Sequence, residues 1–243
     1  MATTAPSFEA YMFHLLEGRR QECRRIFDAF RALNSDATRL FTDLLWPAME
    51  SVARLYKEDR INTTVEHMAT RINRQLADRV RQYMHTPTPS GKRLILLCGD
   101  GEPEELGAQM TADLFETQGW EVFFIGGGVP RDEIIALLGQ LRPDILMIFG
   151  TTPQGVPGAR RLIDHIRELG TCPTMNILVS GGVFNRAHGL WEEINADLFA
   201  PTAAEALKIA ADALPRTAQP CNPGGPKKRR RRRRSPYMPA ATT

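Results

Sequence analysis

The sequence contains little cysteine and no long apolar run. Its 243 residues include four widely separated cysteines that form no Cys-x-x-Cys pair: Cys23, Cys98, Cys172 and Cys221. This pattern argues against a zinc site and is typical of a protein in the reducing cytoplasm. No apolar run approaches the roughly 18 residues of a membrane span. The first ten residues carry neither a basic nor an apolar stretch, so we expect no secretory signal.

A second absence concerns catalysis. No candidate nucleophile, general base and orienting group come together in the sequence, so we do not predict an enzyme. No repeat of fixed period is present either, which argues against a solenoid or propeller.

The positive charge is concentrated near the end of the chain. Eight consecutive residues there are basic: Lys227, Lys228, Arg229, Arg230, Arg231, Arg232, Arg233 and Arg234. Taking these eight charges from the formal net charge of +3 leaves −5 for the rest of the chain. Residues 215–243 are rich in Pro and basic residues and are predicted to be disordered. We expect nonspecific nucleic-acid contact through the basic run, and the alternative is a solubility or localisation tail.

Residues 1–84 are predicted to form a four-helix bundle. Apolar residues recur at helical spacing over Phe8–Leu33, with one break, and again over Ala37–Asp59. Pro47 lies inside the second of these stretches and predicts a kink there, because proline cannot donate the helical hydrogen bond.

The fourth helix is predicted to begin at Thr63. Thr63 and Glu66 have the spacing of a capping box, in which each side chain bonds the backbone of the other's position. Four amphipathic helices with short connections indicate a bundle. Residues 85–92 contain two prolines and are predicted to be a linker.

After the linker the apolar pattern predicts a second domain over residues 93–214. The five strand candidates are Leu94–Cys98, Trp120–Ile125, Asp144–Phe149, Asn176–Ser180 and Asp197–Ala200. The helix candidates are Pro103–Gln118, Pro130–Leu141, Val156–Leu169, Ala187–Ile194 and Thr202–Ala213. Strands that alternate with helices favour a doubly wound parallel sheet of flavodoxin-like order 2-1-3-4-5. The predicted fold class is α/β, with the bundle as a cap.

Glycines and hydroxyls follow the predicted strands where ligands bind in parallel sheets, at the carboxyl ends. These residues are Gly107 after the first strand, Gly150, Thr151 and Thr152 after the third, and Ser180, Gly181 and Gly182 at the fourth. Glycine lets a ligand approach the backbone, and hydroxyls supply hydrogen bonds. The alternative is that strand-to-helix turns need glycine for their own geometry.

The arrangement resembles the cobalamin-binding modules of corrinoid proteins, which include methyl-carrier proteins and bundle-capped light sensors. In the bundle, Tyr56 is separated from Glu66 and His67 by nine residues, and this is similar to the family's cap signature, which usually has Trp at the first position. The second and fourth strand regions, over residues 119–134 and 177–206, resemble the family as well. The resemblance covers about Phe8–Ala213 and implies a cobalamin cofactor bound between the bundle and the strand ends.

The first loop departs from the family pattern Asp-x-His-x-x-Gly, whose histidine binds cobalt from below. Here the corresponding residues are Glu102, Glu104 and Gly107, so glutamate stands in place of that histidine. A carboxylate is a poorer ligand than imidazole for this type of metal. The resemblance implies a nucleotide-tail pocket around Gly181 and Gly182.

His67 is therefore the candidate metal ligand, on the upper face of the cofactor. It lies off the apolar stripe of its helix, on the side of Arg71 and Arg74. The alternative for His67 is an ordinary solvated face.

Three functions remain open from the sequence. The first is a non-catalytic cobalamin-binding sensor or regulator, acting with a regulatory protein partner. The second is a corrinoid carrier that presents a methyl group to a separate methyltransferase. The third keeps the fold but binds haem, a linear tetrapyrrole or no cofactor.

Overall fold

The computed structural model describes residues 7–34, 36–84, 87–99 and 105–217. Its first part is helical, as the apolar spacing predicts. The helices are α1 (Phe8–Leu16), α2 (Arg20–Leu33), α3 (Thr38–Leu40), α4 (Trp46–Lys57) and α5 (Thr63–Arg81). No helix in the described part of the chain combines the length and the apolarity that crossing a membrane requires.

A π-helical segment, Phe41–Leu45, joins α3 to α4 and accommodates Pro47. The N–H of Trp46 donates to the carbonyl of Phe41, five residues back, instead of four. This wider turn immediately precedes Pro47, whose ring would clash with a carbonyl of a regular α-helix. The predicted kink therefore takes the form of a π-helical turn at the start of α4.

The predicted capping box at Thr63 is wrong. The N-cap of α5 is Asn62, whose side chain accepts a hydrogen bond from the N–H of Val65 at 3.0 Å. Glu66 instead accepts from the Thr70 hydroxyl at 3.2 Å, one turn further along the helix. Both Asn62 and Thr63 are good capping residues, and the one with extended backbone angles takes the position.

The second part is a five-stranded sheet in which every pair of neighbours is parallel, in the order β2-β1-β3-β4-β5. The strands are β1 (Arg93–Cys98), β2 (Glu121–Gly126), β3 (Ile145–Phe149), β4 (Asn176–Ser180) and β5 (Leu198–Ala200). The predicted fold class and strand order are confirmed. The sheet register aligns the last residues of the central strands, since Cys98 pairs with Phe149 and Phe149 with Ser180.

Among the described residues, six helices surround the sheet: α6 (Leu106–Glu116), α7 (Arg131–Leu141), α8 (Val156–Leu169), α9 (Gly182–Arg186), α10 (Leu190–Glu193) and α11 (Ala203–Asp212). A 3₁₀ turn, Pro153–Gly155, leads into α8. The helix predicted over Ala187–Ile194 is too long at its start, because only α10 lies in that range, and it begins after Gly189, which has φ 77°. A separate helix, α9, ends before the range, at Arg186. The predicted start of α6 at Pro103 lies outside the described residues.

The bundle packs against α6 and α11 on one face of the sheet. Leu106, Met110 and Leu114 of α6 are buried in the same apolar cluster as the bundle core, together with Ala203 at the start of α11. The helices α7 and α8 cover the opposite face. The bundle and the α/β domain therefore share a core.

Polar contacts show that α5 and α6 run side by side in the same direction. The amide Nε2 of Gln109 donates to Asp78 at 2.7 Å. Three residues further along α5, Arg81 pairs with Asp113 at 3.8 Å and also with Glu116. The order of contacts along both helices is the same, which fixes the direction in which α5 extends past α6.

Candidate functional site

The turns at the carboxyl edge of the sheet are hydrogen-bonded to one another. The N–H of Gly99 donates to the carbonyl of Phe149 at 2.8 Å, and the N–H of Gly150 donates to the carbonyl of Ser180 at 2.9 Å. These bonds continue the parallel ladder past the last strand residues. The edge is therefore a closely bonded platform, and the first loop leaves it after Gly99.

Glu105 links the loop after β1 to the loop after β2. Its carboxylate Oε1 accepts a hydrogen bond from the N–H of Gly127 at 2.6 Å. A Cβ on Gly126, which has φ +77°, would lie only 2.8 Å from the same oxygen. This role of Glu105 is not predictable from the sequence, because a contact between residues 22 positions apart leaves no local pattern.

The first turn of α6 packs against the end of β3. A Cβ on Gly107 would lie 2.9 Å from Cζ of Phe149 and 3.5 Å from Cε of Met49 in the bundle. Gly107 therefore allows a phenylalanine ring and a bundle side chain to meet above the sheet. Met49 marks the level at which α4 passes the carboxyl edge.

The glycines after β3 and β4 are surrounded by protein atoms. A Cβ on Gly150 would lie 3.2 Å from Val183 and Phe184, and one on Gly181 would lie 2.3 Å from the carbonyl oxygen of Gly150. The Gly182 position is bounded by the Arg186 guanidinium, 2.9 Å from an added Cβ. These glycines serve the close packing of two turns.

The hydroxyl residues of the edge differ in exposure. Ser180 is 3% exposed and its hydroxyl donates to the carbonyl of Ala200 at 2.7 Å, which ties β4 to β5. Thr151 and Thr152 are half-buried, and the carbonyl of Thr151 accepts from Arg186 Nη2 at 2.6 Å. The two threonines are the members of this set nearest to solvent.

The predicted cap residues lie at the end of α4 and in the first turns of α5. The hydroxyl oxygen of Tyr56 lies 3.3 Å from the hydroxyl oxygen of Thr63. His67 Nε2 lies 3.5 Å from Glu66 Oε2, and the His67 side chain is 60% exposed. The side chains of this group are therefore available to a ligand.

Helix geometry places this group above the sheet edge. His67 precedes Asp78 by eleven residues, which is roughly 16 Å along α5 at 1.5 Å per residue. Gly107 precedes Gln109, the partner of Asp78, by two residues, roughly 3 Å along α6. The His67 end of α5 therefore extends roughly 13 Å beyond the first turn of α6.

Helix α4 places Tyr56 at a similar distance above the sheet edge. Met49 contacts the edge at Gly107, and Tyr56 lies seven residues further along α4, roughly 10 Å away from that level. The structure thus brings Gly107, Gly150, Thr151, Thr152, Ser180, Gly181 and Gly182 to one edge and stands Tyr56, Glu66 and His67 above it. Glu102 and Glu104 lie outside the described residues.

The structure combines a parallel α/β sheet with a helical hairpin that extends above the carboxyl edge of the sheet and carries an exposed histidine. This combination is the architecture of a capped cofactor-binding module. Family models of B12 binding domains match residues 8–81 and residues 92–211. The chain belongs to this B12-binding family, and its cofactor is a cobalamin, not the haem or linear tetrapyrrole that the sequence left open. The exposed side chains of Tyr56 and His67 above the sheet edge fit such a group.

Individual relatives agree with the family. Dimethylamine corrinoid protein 1 of Methanosarcina acetivorans is 21% identical over 181 residues, which cover 74% of this chain and 84% of that protein. The HTH-type transcriptional repressor CarA of Myxococcus xanthus is 28% identical over 130 residues, 53% of this chain and 43% of the repressor. The monomethylamine corrinoid protein of Methanosarcina barkeri has the same fold, with a TM-score of 0.74, 16% identity, and coverage of 82% of this chain and 94% of that one.

Proposed function

We propose that this chain is a non-catalytic cobalamin-binding sensor or regulatory module. The observation that carries the proposal is the overhang of the α4–α5 hairpin, which holds Tyr56 and His67 above the carboxyl edge of the sheet. The residues of these two levels would hold a corrin ring, and the imidazole of His67 would be the candidate ligand for its cobalt. Glu66, whose carboxylate lies beside the imidazole, orients it.

The lower side of the site supports a regulatory role. The residue in the place of the family's cobalt-binding histidine is Glu104, a carboxylate, which is a weak ligand for this metal type. A carrier uses that histidine to set cobalt reactivity, whereas a sensor needs only a ligand whose state changes contacts with the cap. A regulatory protein partner that reads the position of the bundle completes the proposal.

The second candidate is a corrinoid methyl carrier. It is favoured by the match to dimethylamine corrinoid protein 1, which extends through both domains and 84% of that protein's length. In this role the partner is a methyltransferase, and the bundle uncovers the cofactor for it.

We expect hydroxo-, methyl- and adenosylcobalamin to remain bound through gel filtration, read as corrin absorbance that elutes with the protein.

His67→Ala removes the proposed upper ligand, so it should change the visible spectrum of the hydroxocobalamin complex and weaken binding about tenfold or more. Arg71→Ala is the matched control, an exposed residue one turn further along α5. If His67→Ala and Arg71→Ala behave alike, His67 belongs to a solvated face and the proposed ligation is wrong.

A methylation assay distinguishes the regulatory function from the carrier function. The cobalamin complex is reduced with titanium(III) citrate and mixed with iodomethane, and the rate of methylation is followed by absorbance. For a regulator we expect a rate no higher than that of free cobalamin under the same conditions. A clearly faster reaction would favour the carrier.

We also propose the reducing cytoplasm as the location. The thiols of Cys23 and Cys172 form no disulfide, and the thiol of Cys23 is buried. Free buried thiols are typical of compartments in which disulfides do not form.

The proposed partner of the basic run Lys227–Arg234 is nucleic acid, bound through phosphates. The run itself lies outside the described residues, but the segment before it is anchored at the amino edge of the sheet. The side chain of Asn176 donates to the carbonyl of Leu214 at 2.8 Å, and Arg216 donates to Asp197 at 3.0 Å. The chain thus leaves the domain on the side opposite the cofactor.

We expect the full chain to bind random-sequence duplex DNA with a log–log salt slope of about −5 to −7, from roughly six to eight phosphate contacts. The control ends after Thr217, which keeps the Arg216 anchor and removes the run. Equal binding by the two forms, measured by fluorescence anisotropy across a salt series, would assign the contact elsewhere.

A further inference from the structure

The interior of the domain below the proposed corrin position is filled by side chains. A nucleotide tail that descends from the corrin into the domain must pass between the first turn of α6 and the turns after β3 and β4. The family resemblance implies such a pocket around Gly181 and Gly182. In the structure this passage is occupied.

Phe149 blocks the passage on the α6 side. It is the last residue of β3 and is 5% exposed, and its ring lies against Gly107 at the start of α6. The ring belongs to an apolar cluster that also contains buried residues of β1, α6, β5 and α11: Cys98, Ala108, Ala200 and Ala206. An inserted base would have to displace this ring.

The passage is also blocked between the turns. Phe184 and Val183 of α9 fill the space beside Gly150, and the Gly150 carbonyl fills the space beside Gly181. Arg186 crosses from α9 to the turn after β3, where its guanidinium donates to the carbonyl of Thr151 at 2.6 Å. Gly150, Gly181 and Gly182 therefore face protein atoms.

A cavity does lie at this edge, but on the opposite face of the sheet. It is bordered by Cys98, Ile148 and Ala159 and has a volume of about 20 Å³. That volume holds about one water molecule. It is far too small for a benzimidazole with its ribose and phosphate.

We propose that this chain binds the corrin ring without burying the nucleotide tail, and that Phe149 is the residue that excludes the tail. The ligand class is then corrinoids in general, including cobinamides, which lack the nucleotide. Selectivity requires a difference in contacts between two ligands. A protein that touches only the shared corrin ring has little with which to distinguish them.

This inference rests on the proposed function, since it assumes a corrin above the sheet edge. The test titrates the purified full chain with hydroxocobalamin and with diaquacobinamide and measures both dissociation constants by absorbance. We expect the two constants to agree within about threefold. A preference for hydroxocobalamin of more than tenfold would overturn the proposal, whereas binding of neither corrinoid would overturn the proposed function itself.

The variant Phe149→Ala removes the obstruction on the α6 side of the passage, which is separate from the one that α9 forms, and should change selectivity in one direction. We expect it to favour hydroxocobalamin over diaquacobinamide by about tenfold or more, because the tail can then enter and make contacts. Phe115→Ala is the control, since Phe115 is fully buried in the same cluster but packs against Trp120. A selectivity change of equal size in both variants would assign the effect to loosened packing and contradict the role of Phe149. The wild-type comparison decides the matter if Phe149→Ala does not fold.

Discussion

Replacing Gly181 with alanine is expected to destabilise the protein by more than about 4 kcal/mol, a loss that few single substitutions cause. Gly181 has φ +104° and ψ 167°, a backbone region that is essentially restricted to glycine. In addition, the new methyl carbon would lie 2.3 Å from the carbonyl oxygen of Gly150. Since domains are typically stable by about 5–15 kcal/mol, a large part of the variant should be unfolded.

Gly189→Ala separates backbone strain from the steric clash. Gly189 also has a positive φ, +77°, but no atom lies within 4 Å of an added Cβ. We therefore expect a loss of only about 1–2 kcal/mol from the left-handed conformation. Urea unfolding of both variants gives the two free energies. Similar losses at the two positions would show that the turns after β3 and β4 can move apart, and that Gly181 is free to line a pocket.

The strands are predictable because their signal is local. The β3 and β4 segments are apolar along their whole length and buried on both faces, as in parallel sheets covered by helices. The predicted strand bounds agree with the structure to within one residue at each end. The glycine break between α1 and α2 is predictable for the same reason.

The cap of α5 shows the limit of local signals. Asn62 and Thr63 can both accept the hydrogen bond that begins a helix, and the sequence does not show which one has extended backbone angles. The assignment to Thr63 also gave Glu66 a structural role that it does not have. Its carboxylate lies beside His67 instead.

The interior of the site was unpredictable because it depends on contacts between distant segments. A glycine before a helix has the same appearance whether it admits a ligand or a neighbouring turn. Only the packing shows that Phe149 lies against Gly107 and that Glu105 bonds to Gly127. The sequence could place candidate residues at one edge, but not say which of them face open space.

The contribution of Asp113, a carboxylate between the bundle and the α/β domain, to the stability of the protein should fall as the pH rises from about 4 to about 6. Burial raises the pKa of the Asp113 carboxyl from 3.8 to about 6. The Arg81 guanidinium lowers this pKa in part, and the charges of Glu116 and Asp78 raise it further. The Asp113 side chain is 14% exposed, and its Oδ2 has no hydrogen-bond partner.

The sign follows from proton binding. Between pH 3.8 and about 6 the folded protein holds a proton on Asp113 that the unfolded chain has released, so folding is favoured at the low end of this range and loses that contribution as the pH rises. A difference of about two pKa units corresponds to about 3 kcal/mol. At neutral pH the ionised carboxylate is therefore a cost to the interface between α5 and α6.

Asp113→Asn should remove this component of the pH dependence. The amide cannot ionise, so we expect the variant to be more stable than the wild type at pH 7, by up to about 3 kcal/mol less the lost attraction to Arg81. At pH 4 the Asp113 carboxyl of the folded wild type is largely protonated, so the two proteins should have similar free energies of unfolding. The comparison at pH 4 is therefore the control for the comparison at pH 7. Urea unfolding at half-unit steps from pH 4 to pH 7 gives both curves. Parallel curves would show that Asp113 is ionised throughout, and that its pairing with Arg81 outweighs its burial.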